Sequence, residues 1–210
     1  MLSKLPRALA IAFVFYVLPV LPKPAMLLDP RLLLVIAMVC ALDVIQPSLS
    51  SNSEGSAADK SSMKLVLVTA TLCHVMPILE WVYLNSSPNS MGLWQLGALM
   101  VVGGTLLRGW AIAVLGRYFS ARVELQDEHH LVRKGPYRWL RHPSYSGAVL
   151  FLLGVPILLQ TPWSLAACAV LLAIAYGYRI PVEERMLSQH FGDSFADYAK
   201  KTKRLIPYIW

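Results

Sequence analysis

Side chains that could do chemistry are concentrated in two short stretches of the C-terminal half. The first is Arg141-His142-Pro143-Ser144-Tyr145, and the second contains Arg179 and the pair Glu183-Glu184. Together they supply hydrogen-bond donors, acceptors and aromatic rings beside apolar segments. Taken alone, the first stretch fits a reactive site and a basic juxtamembrane loop with aromatic anchors about equally well.

A third stretch, His129-His130-Leu131-Val132, precedes the first by only a few residues. Gly135-Pro136 predicts a turn between them. A residue before proline favours extended backbone, and proline suits the first turn of a helix, so a new helix is expected at Pro143. The side chains of Tyr137, His142 and Tyr145 could then converge at the mouth of a helical hairpin.

The elements that must position these residues are apolar blocks. The 210-residue chain is 56% hydrophobic and only 15% charged, whereas a soluble domain carries about 25% charged residues. Most blocks are long enough to cross a roughly 30 Å hydrocarbon core as helices. The pattern predicts an all-α, polytopic integral membrane protein and argues against two soluble domains. About six spans are expected, at residues 5–21, 27–46, 63–84, 93–115, 146–160 and 163–178.

The last two blocks are separated only by Thr161-Pro162, which predicts a hairpin with a tight turn. Residues 47–62 read as a polar loop. We divide the chain into N-terminal membrane helices, residues 1–115, and a catalytic region with the hairpin and polar tail, residues 116–210.

Basic residues indicate how the chain is oriented. Six crossings put both termini on one side, together with most of the lysines and arginines, and the positive-inside rule makes that side the cytosol. The net charge of +7 is therefore expected to meet anionic headgroups, with no nucleic-acid partner. The three cysteines lie within apolar blocks at spacings that fit neither a disulfide framework nor a metal site, and no metal is expected.

Four ionisable residues lie inside or at the edges of apolar blocks, where charge is costly. Each is a functional candidate, but structural interpretations are favoured. Glu80 and Arg108 could pair across helices, His74 could hydrogen-bond within the bundle, and Asp43 could reach water at a helix end.

The combined motifs are more specific than any one of them. His-x-Leu-Val-x-x-Gly-x-Tyr, then Arg-His-Pro-Ser-Tyr, a hairpin, Arg-x-x-x-Glu-Glu and Phe-Gly-x-x-Phe-x-x-Tyr resemble the isoprenylcysteine carboxyl methyltransferase family. The ending Arg-Leu-Ile-Pro fits as well. The resemblance covers residues 115–210, whereas the N-terminal half resembles the family only as unspecific apolar helices.

The resemblance implies an enzyme that uses S-adenosylmethionine to methylate the C-terminal carboxylate of a prenylated protein or a prenylcysteine-like lipid. It implies a membrane location, in the endoplasmic reticulum of a eukaryote, with the catalytic region facing the cytosol. It makes Arg179 a substrate residue and Glu183 a cofactor neighbour, and both are expected to be catalytic. The implied cofactor-binding residues are His129, Leu131, Val132, Tyr137, His142, Pro143, Ser144, Tyr145 and Glu183.

The sequence departs from the family pattern at two positions. Arg122 stands where the family often has a glutamine, so no role is transferred to it. Pro181 lies between Arg179 and Glu183, where it removes a backbone donor and crowds the preceding turn. A kink, or a new helix beginning at Pro181, is therefore expected.

Other functions remain open from sequence. The chain has no Gly-x-Gly-x-x-Gly after a predicted strand, which argues against a Rossmann-type cofactor domain but not against a cofactor bound in another fold. A phospholipid amine or a prenylated small-molecule acid could be the methyl acceptor. A sterol-type reductase using NADPH shares a similar Arg-His-Pro-x-Tyr stretch, and a non-catalytic membrane scaffold is the last alternative.

Overall fold

The computed structural model describes residues 4–46, 57–84, 90–116 and 131–206, and these are almost entirely helical. The first helix continues through a π-helical turn and a short 3-10 turn to Val20, and the third continues through a π-helical turn to Leu84. The α-helices are α1 (Leu5–Ala12), α2 (Pro30–Ile45), α3 (Ala57–Leu79), α4 (Met91–Leu115), α5 (Pro143–Leu159), α6 (Pro162–Phe191) and α7 (Asp193–Lys201).

All six predicted apolar blocks are helical. Three segments are long and apolar enough to cross a membrane, namely Asp59–Leu84, Met91–Leu115 and Pro162–Phe191. Leu5–Val20 and Pro143–Leu159 are shorter apolar helices. The tight hairpin between α5 and α6 is confirmed. The prediction of a loop over residues 47–62 is wrong at its C-terminal end, because α3 already begins at Ala57.

Helices α4 and α5 pack closely because glycines face each other across the interface. A methyl group at Gly104 would lie 2.6 Å from the carbonyl oxygen of Gly147, and one at Gly147 would lie 2.6 Å from the backbone nitrogen of Arg108. Gly97 and Gly154 make similar backbone approaches farther along the same helices. Small residues at such interfaces let two membrane helices approach to backbone contact.

The core lies where α2, α3, α5 and α6 meet the N-terminal helix. Tyr16, Leu32, Ile78, Phe151 and Ile180 are among its fully buried side chains. The outward-facing side chains of the helices are largely apolar, as a lipid-facing surface requires. The division at residues 115 and 116 stays a prediction.

Structural roles explain three of the four ionisable residues found in apolar blocks. Asp43 pairs with Arg7 at 2.9 Å rather than only reaching water. His74 Nδ1 shares a hydrogen bond with the Tyr16 hydroxyl, as the bundle interpretation predicts. Glu80 accepts hydrogen bonds from the backbone nitrogens of Trp163 and Ser164, at 3.2 and 2.6 Å, and so caps the start of α6.

The predicted pairing of Glu80 with Arg108 is wrong. Arg108 instead donates to the Gln46 side chain at 2.7 Å and to the carbonyl and hydroxyl oxygens of Ser144 at 3.1 Å. Glu80 contacts the start of α6, whereas Arg108 contacts the start of α5, and in an α5–α6 hairpin these two helix starts lie at opposite ends. Arg108 thus ties α2 and α4 to the start of α5.

Candidate active site

The polypeptide that leads into α5 is held by the C-terminal tail. The backbone nitrogen of Arg141 donates to the Lys203 carbonyl at 2.7 Å, and that of His142 donates to the Arg204 carbonyl at 3.1 Å. Leu140 and Lys203 form a parallel bridge. Backbone pairing with the tail therefore holds the residue before Pro143, although the ψ of His142, 55°, departs from the extended backbone that was expected there.

Helix α7 anchors this tail. The Tyr198 hydroxyl donates to the carbonyl oxygen of Tyr137 at 2.8 Å, and Phe195 packs beside it. Burial raises the pKa of both tyrosines well above the usual range, so both hydroxyls stay protonated at neutral pH. Gly192 separates α6 from α7 with a φ of +51°, a conformation that favours glycine.

Helix α5 begins at Pro143, as predicted, and places a row of rings along its first turn. The His142 ring stacks on the Tyr145 ring with centroids 5.5 Å apart, and the Tyr145 ring lies 4.9 Å from that of Tyr176. The Ser146 hydroxyl donates to the Leu205 carbonyl at 2.6 Å, which holds the same turn against the tail.

The Tyr145 hydroxyl joins the two predicted catalytic residues. It donates to Glu183 Oε2 at 2.7 Å and accepts from Arg179 Nε at 3.3 Å. Helix α6 is continuous through Pro181, so the expectation of a new helix beginning there is wrong, whereas the alternative expectation of a kink stays a prediction. Neighbouring helices can stabilise the backbone freed by proline within a membrane bundle.

Arg179 is deeply buried and paired with an acid that the sequence interpretation assigned to a loop. Its side chain is 2% exposed, and Nη1 lies 2.6 Å from Oδ1 of Asp59, which is fully buried. The same nitrogen donates to the Ser62 hydroxyl at 2.7 Å. A buried guanidinium requires a counter-charge, and the first turn of α3 supplies it.

The second glutamate of the pair has a different environment from the first. Glu184 accepts from Arg141 Nε at 2.7 Å and from Arg204 at 2.9 Å. These contacts tie α6 to both segments that meet at the Leu140–Lys203 bridge. Glu183 is 23% exposed, and its contacts among the described residues are the Tyr145 hydroxyl and His142 Nδ1, the latter at 3.8 Å. Glu183 thus presents an anion that no described lysine or arginine pairs with.

The structure brings together four of the predicted site residues, His142, Tyr145, Arg179 and Glu183. Leu131 and Val132 are half-buried just before the turn, whereas His129 lies outside the described residues. Ser144 is buried beneath Arg108. In the described part of the chain, no three His, Cys, Asp or Glu side chains cluster as metal ligands would.

Sequence reasoning missed Asp59, Ser62 and the contacts of Glu184 with Arg141 and Arg204. The signal for Asp59 was an acid one turn before an apolar block, which is equally common at a solvated helix end. The role of Glu184 was hidden because its partners are more than 20 residues away or lie in the tail.

Comparisons with known proteins show what this chain is similar to. The model of the isoprenylcysteine carboxyl methyltransferase family matches residues 96–189. A protein-S-isoprenylcysteine O-methyltransferase B of Arabidopsis thaliana is 31% identical over 160 residues, which cover 72% of this chain and 81% of that protein. A probable protein-S-isoprenylcysteine O-methyltransferase of rice is 36% identical over 115 residues. That match covers 54% of this chain but only 60% of the rice protein.

The fold is also that of a solved membrane protein. A structure of the eukaryotic intramembrane Ras methyltransferase, an isoprenylcysteine carboxyl methyltransferase, superposes with a TM-score of 0.64 at 25% sequence identity. The superposition covers 96% of this chain and 75% of that one. The likeness therefore extends over the N-terminal helices, which sequence motifs alone did not reach.

Proposed function

This chain belongs to the isoprenylcysteine carboxyl methyltransferase family, and on that premise we propose that it methylates the C-terminal carboxylate of a prenylated cysteine. The observation that supports this most directly is the Arg179–Tyr145–Glu183 connection. The Arg179 guanidinium could bind an anionic methyl acceptor. The Glu183 carboxylate, one helical turn away, could face a cationic methyl donor. The protein is an integral membrane protein, and its prenylated substrate would reach the site from the lipid.

The side chains of this site suit S-adenosylmethionine, which carries two positively charged groups, a sulfonium and an amino group. Glu183 offers a half-buried carboxylate that accepts from the Tyr145 hydroxyl, lies 3.8 Å from His142 Nδ1 and pairs with no described lysine or arginine. The other walls would come from Leu131, Val132, Tyr137, His142, Pro143 and Ser144, and from His129 outside the described residues. When bound, the cofactor supplies a methyl group whose bond to sulfur breaks as a carboxylate oxygen attacks it, the bonding pair leaving with the sulfur.

Arg179 would hold the acceptor carboxylate. A carboxylate is ionised at neutral pH, so no side chain of the site has to remove a proton. The work of the chain is alignment and exclusion of water, and near-attack positioning can supply roughly 7–11 kcal/mol. Tyr145 would fix the guanidinium relative to Glu183, and so would hold the acceptor carboxylate and the methyl donor at a constant separation.

Charge supports one side of the membrane for the site. Arg108 joins the start of α5 to Gln46, which also accepts from Lys4, so the site lies at the same end of the bundle as the basic N-terminal residues. By the positive-inside rule, that end would face the cytosol. In a eukaryote the corresponding membrane would be the endoplasmic reticulum.

Purified protein in detergent, radiolabelled S-adenosylmethionine and N-acetyl-S-farnesylcysteine test the proposal. We expect base-labile methyl ester to accumulate with time and enzyme. Bound cofactor without ester would move the function to another methyl acceptor. Absence of cofactor binding would overturn the methyltransferase proposal altogether.

A further inference from the structure

The ion pair between Arg179 and Asp59 has a consequence for the substrate. Arg179 is the largest fully buried side chain among the described residues, and Asp59 Oδ1 contacts it at 2.6 Å. Glu183 is joined to the same guanidinium through the Tyr145 hydroxyl. Asp59 contacts Arg179 directly and so provides a counter-charge when no acceptor carboxylate is bound.

Ser62 strengthens this connection. Its hydroxyl accepts from Arg179 Nη1 at 2.7 Å and donates to the Asp59 carbonyl at 2.9 Å. Asp59 and Ser62, in the first two turns of α3, thus both bond to Nη1 of Arg179 on α6, one as a charged and one as a neutral partner. The contact joins helices from the two halves of the chain, so it is part of how the site is assembled.

A bare arginine would be a poor partner for a nucleophilic carboxylate. The acceptor loses its negative charge as the ester forms, so a full positive charge stabilises the bound acid more than the transition state. An acid already paired with the guanidinium weakens that ground-state attraction. It also leaves Arg179 balanced once the neutral ester departs.

We infer that Asp59 is a positioning residue of the methyl-transfer site, which holds Arg179 and moderates its attraction for the acceptor carboxylate. The inference rests on the proposed function, because it requires an anionic acceptor beside Arg179. Asp59 itself need not touch the substrate. The effect of Asp59 would depend on the charge of the ligand. Asp59 should change the affinity for the acidic substrate but not the affinity for the uncharged ester product.

The test compares binding of N-acetyl-S-farnesylcysteine and its methyl ester to the wild-type protein and to Asp59→Asn. The amide keeps an oxygen acceptor for Nη1 but removes the charge. We expect the variant to bind the acid roughly tenfold more tightly, about 1.4 kcal/mol, with little change for the ester. We also expect kcat to fall by roughly tenfold while KM for the acid falls.

Asp43→Asn is the matched control, because it makes the same exchange in the Arg7 ion pair on the N-terminal helices. It should leave the acid-to-ester affinity ratio at the wild-type value. An Asp59→Asn protein with a wild-type ratio, or with equal losses for acid and ester, overturns the inference in favour of a purely structural ion pair.

Ser62→Asp tests the same inference if Asp59→Asn does not fold. A second acid at Nη1 should weaken acid binding by roughly tenfold relative to the ester. An unchanged ratio would again count against the inference. A wild-type protein that makes no ester defeats the proposed function instead, so the two failures are distinguishable.

Discussion

The Arg179 guanidinium and the Glu183 carboxylate meet at one atom, the hydroxyl oxygen of Tyr145. The two charged residues are four positions apart on α6, whereas Tyr145 comes from the first turn of α5. Their convergence therefore depends on the packing of the hairpin as well as on the helix that carries them both.

Tyr145→Phe removes this hydroxyl without changing the ring. Hydrogen bonds to charged groups contribute about 1.5–3 kcal/mol, so we expect kcat/KM for methyl transfer to fall roughly tenfold to a hundredfold. The measurement is steady-state ester formation. Tyr178→Phe is the control, because Tyr178 is exposed on the neighbouring helix α6. Equal activity of the Tyr145 and Tyr178 variants would contradict the role of the shared hydroxyl.

The two adjacent glutamates should behave differently when each is changed to glutamine. Glu183→Gln removes the anion that Tyr145 orients, so cofactor affinity should fall by roughly tenfold or more while thermal stability changes little. Glu184→Gln weakens the contacts with Arg141 and Arg204, so the protein should lose about 1.5–3 kcal/mol of stability.

Equilibrium binding of S-adenosylmethionine and thermal unfolding in detergent separate these effects. Each variant is the control for the other, since the exchange is identical and the positions are consecutive. A larger loss of stability for Glu183→Gln than for Glu184→Gln would contradict the environments described for the two carboxylates.

The helix pattern of this protein could be predicted from sequence better than its contacts. Apolar length predicts each block as a helix, and His142-Pro143 predicts where α5 begins. Asp59 was missed because a short serine-rich run with an acid favours a loop locally, whereas its burial against Arg179 is a tertiary interaction. The error at Pro181 has a similar origin: proline weakens an isolated helix, but neighbouring helices stabilise it here.

The close packing of α4 and α5 has a sequence signal in the spacing of four glycines. Gly97 and Gly104 are seven residues apart, and so are Gly147 and Gly154, which is two helical turns. Such spacing places each pair on one helix face. What the spacing does not reveal is which two helices face each other.

Gly104→Ala tests that packing. The added methyl group would lie 2.6 Å from both the Gly147 carbonyl oxygen and the Phe151 nitrogen, so α4 and α5 must separate. Overpacking costs about 1–3 kcal/mol, and a lower midpoint of thermal unfolding is expected. Gly103→Ala is the neighbouring control, since a methyl group there meets nothing within 4 Å. Equal stability of the two variants would contradict the close approach.

Glu80 caps the start of α6, which is remote from Arg179. Glu80 accepts from the backbone nitrogens of Trp163 and Ser164 and from the Ser164 hydroxyl at 2.6 Å. A carboxylate at a helix N-terminus satisfies free N–H groups and interacts favourably with the helix dipole. Glu80→Ala should therefore lower stability by about 1–3 kcal/mol, because it leaves buried donors without an acceptor.

Ser164→Ala separates the capping effect from the loss of a single hydroxyl. It removes one of the three hydrogen bonds and leaves both backbone contacts, so a smaller loss of stability is expected than for Glu80→Ala. Thermal unfolding in detergent provides the comparison, and cofactor affinity measured below the unfolding range should stay near the wild-type value for both variants. If Glu80→Ala weakened cofactor binding as strongly as Glu183→Gln, the far end of α6 would be coupled to the site, and the separation of a structural end from a chemical end would have to be abandoned.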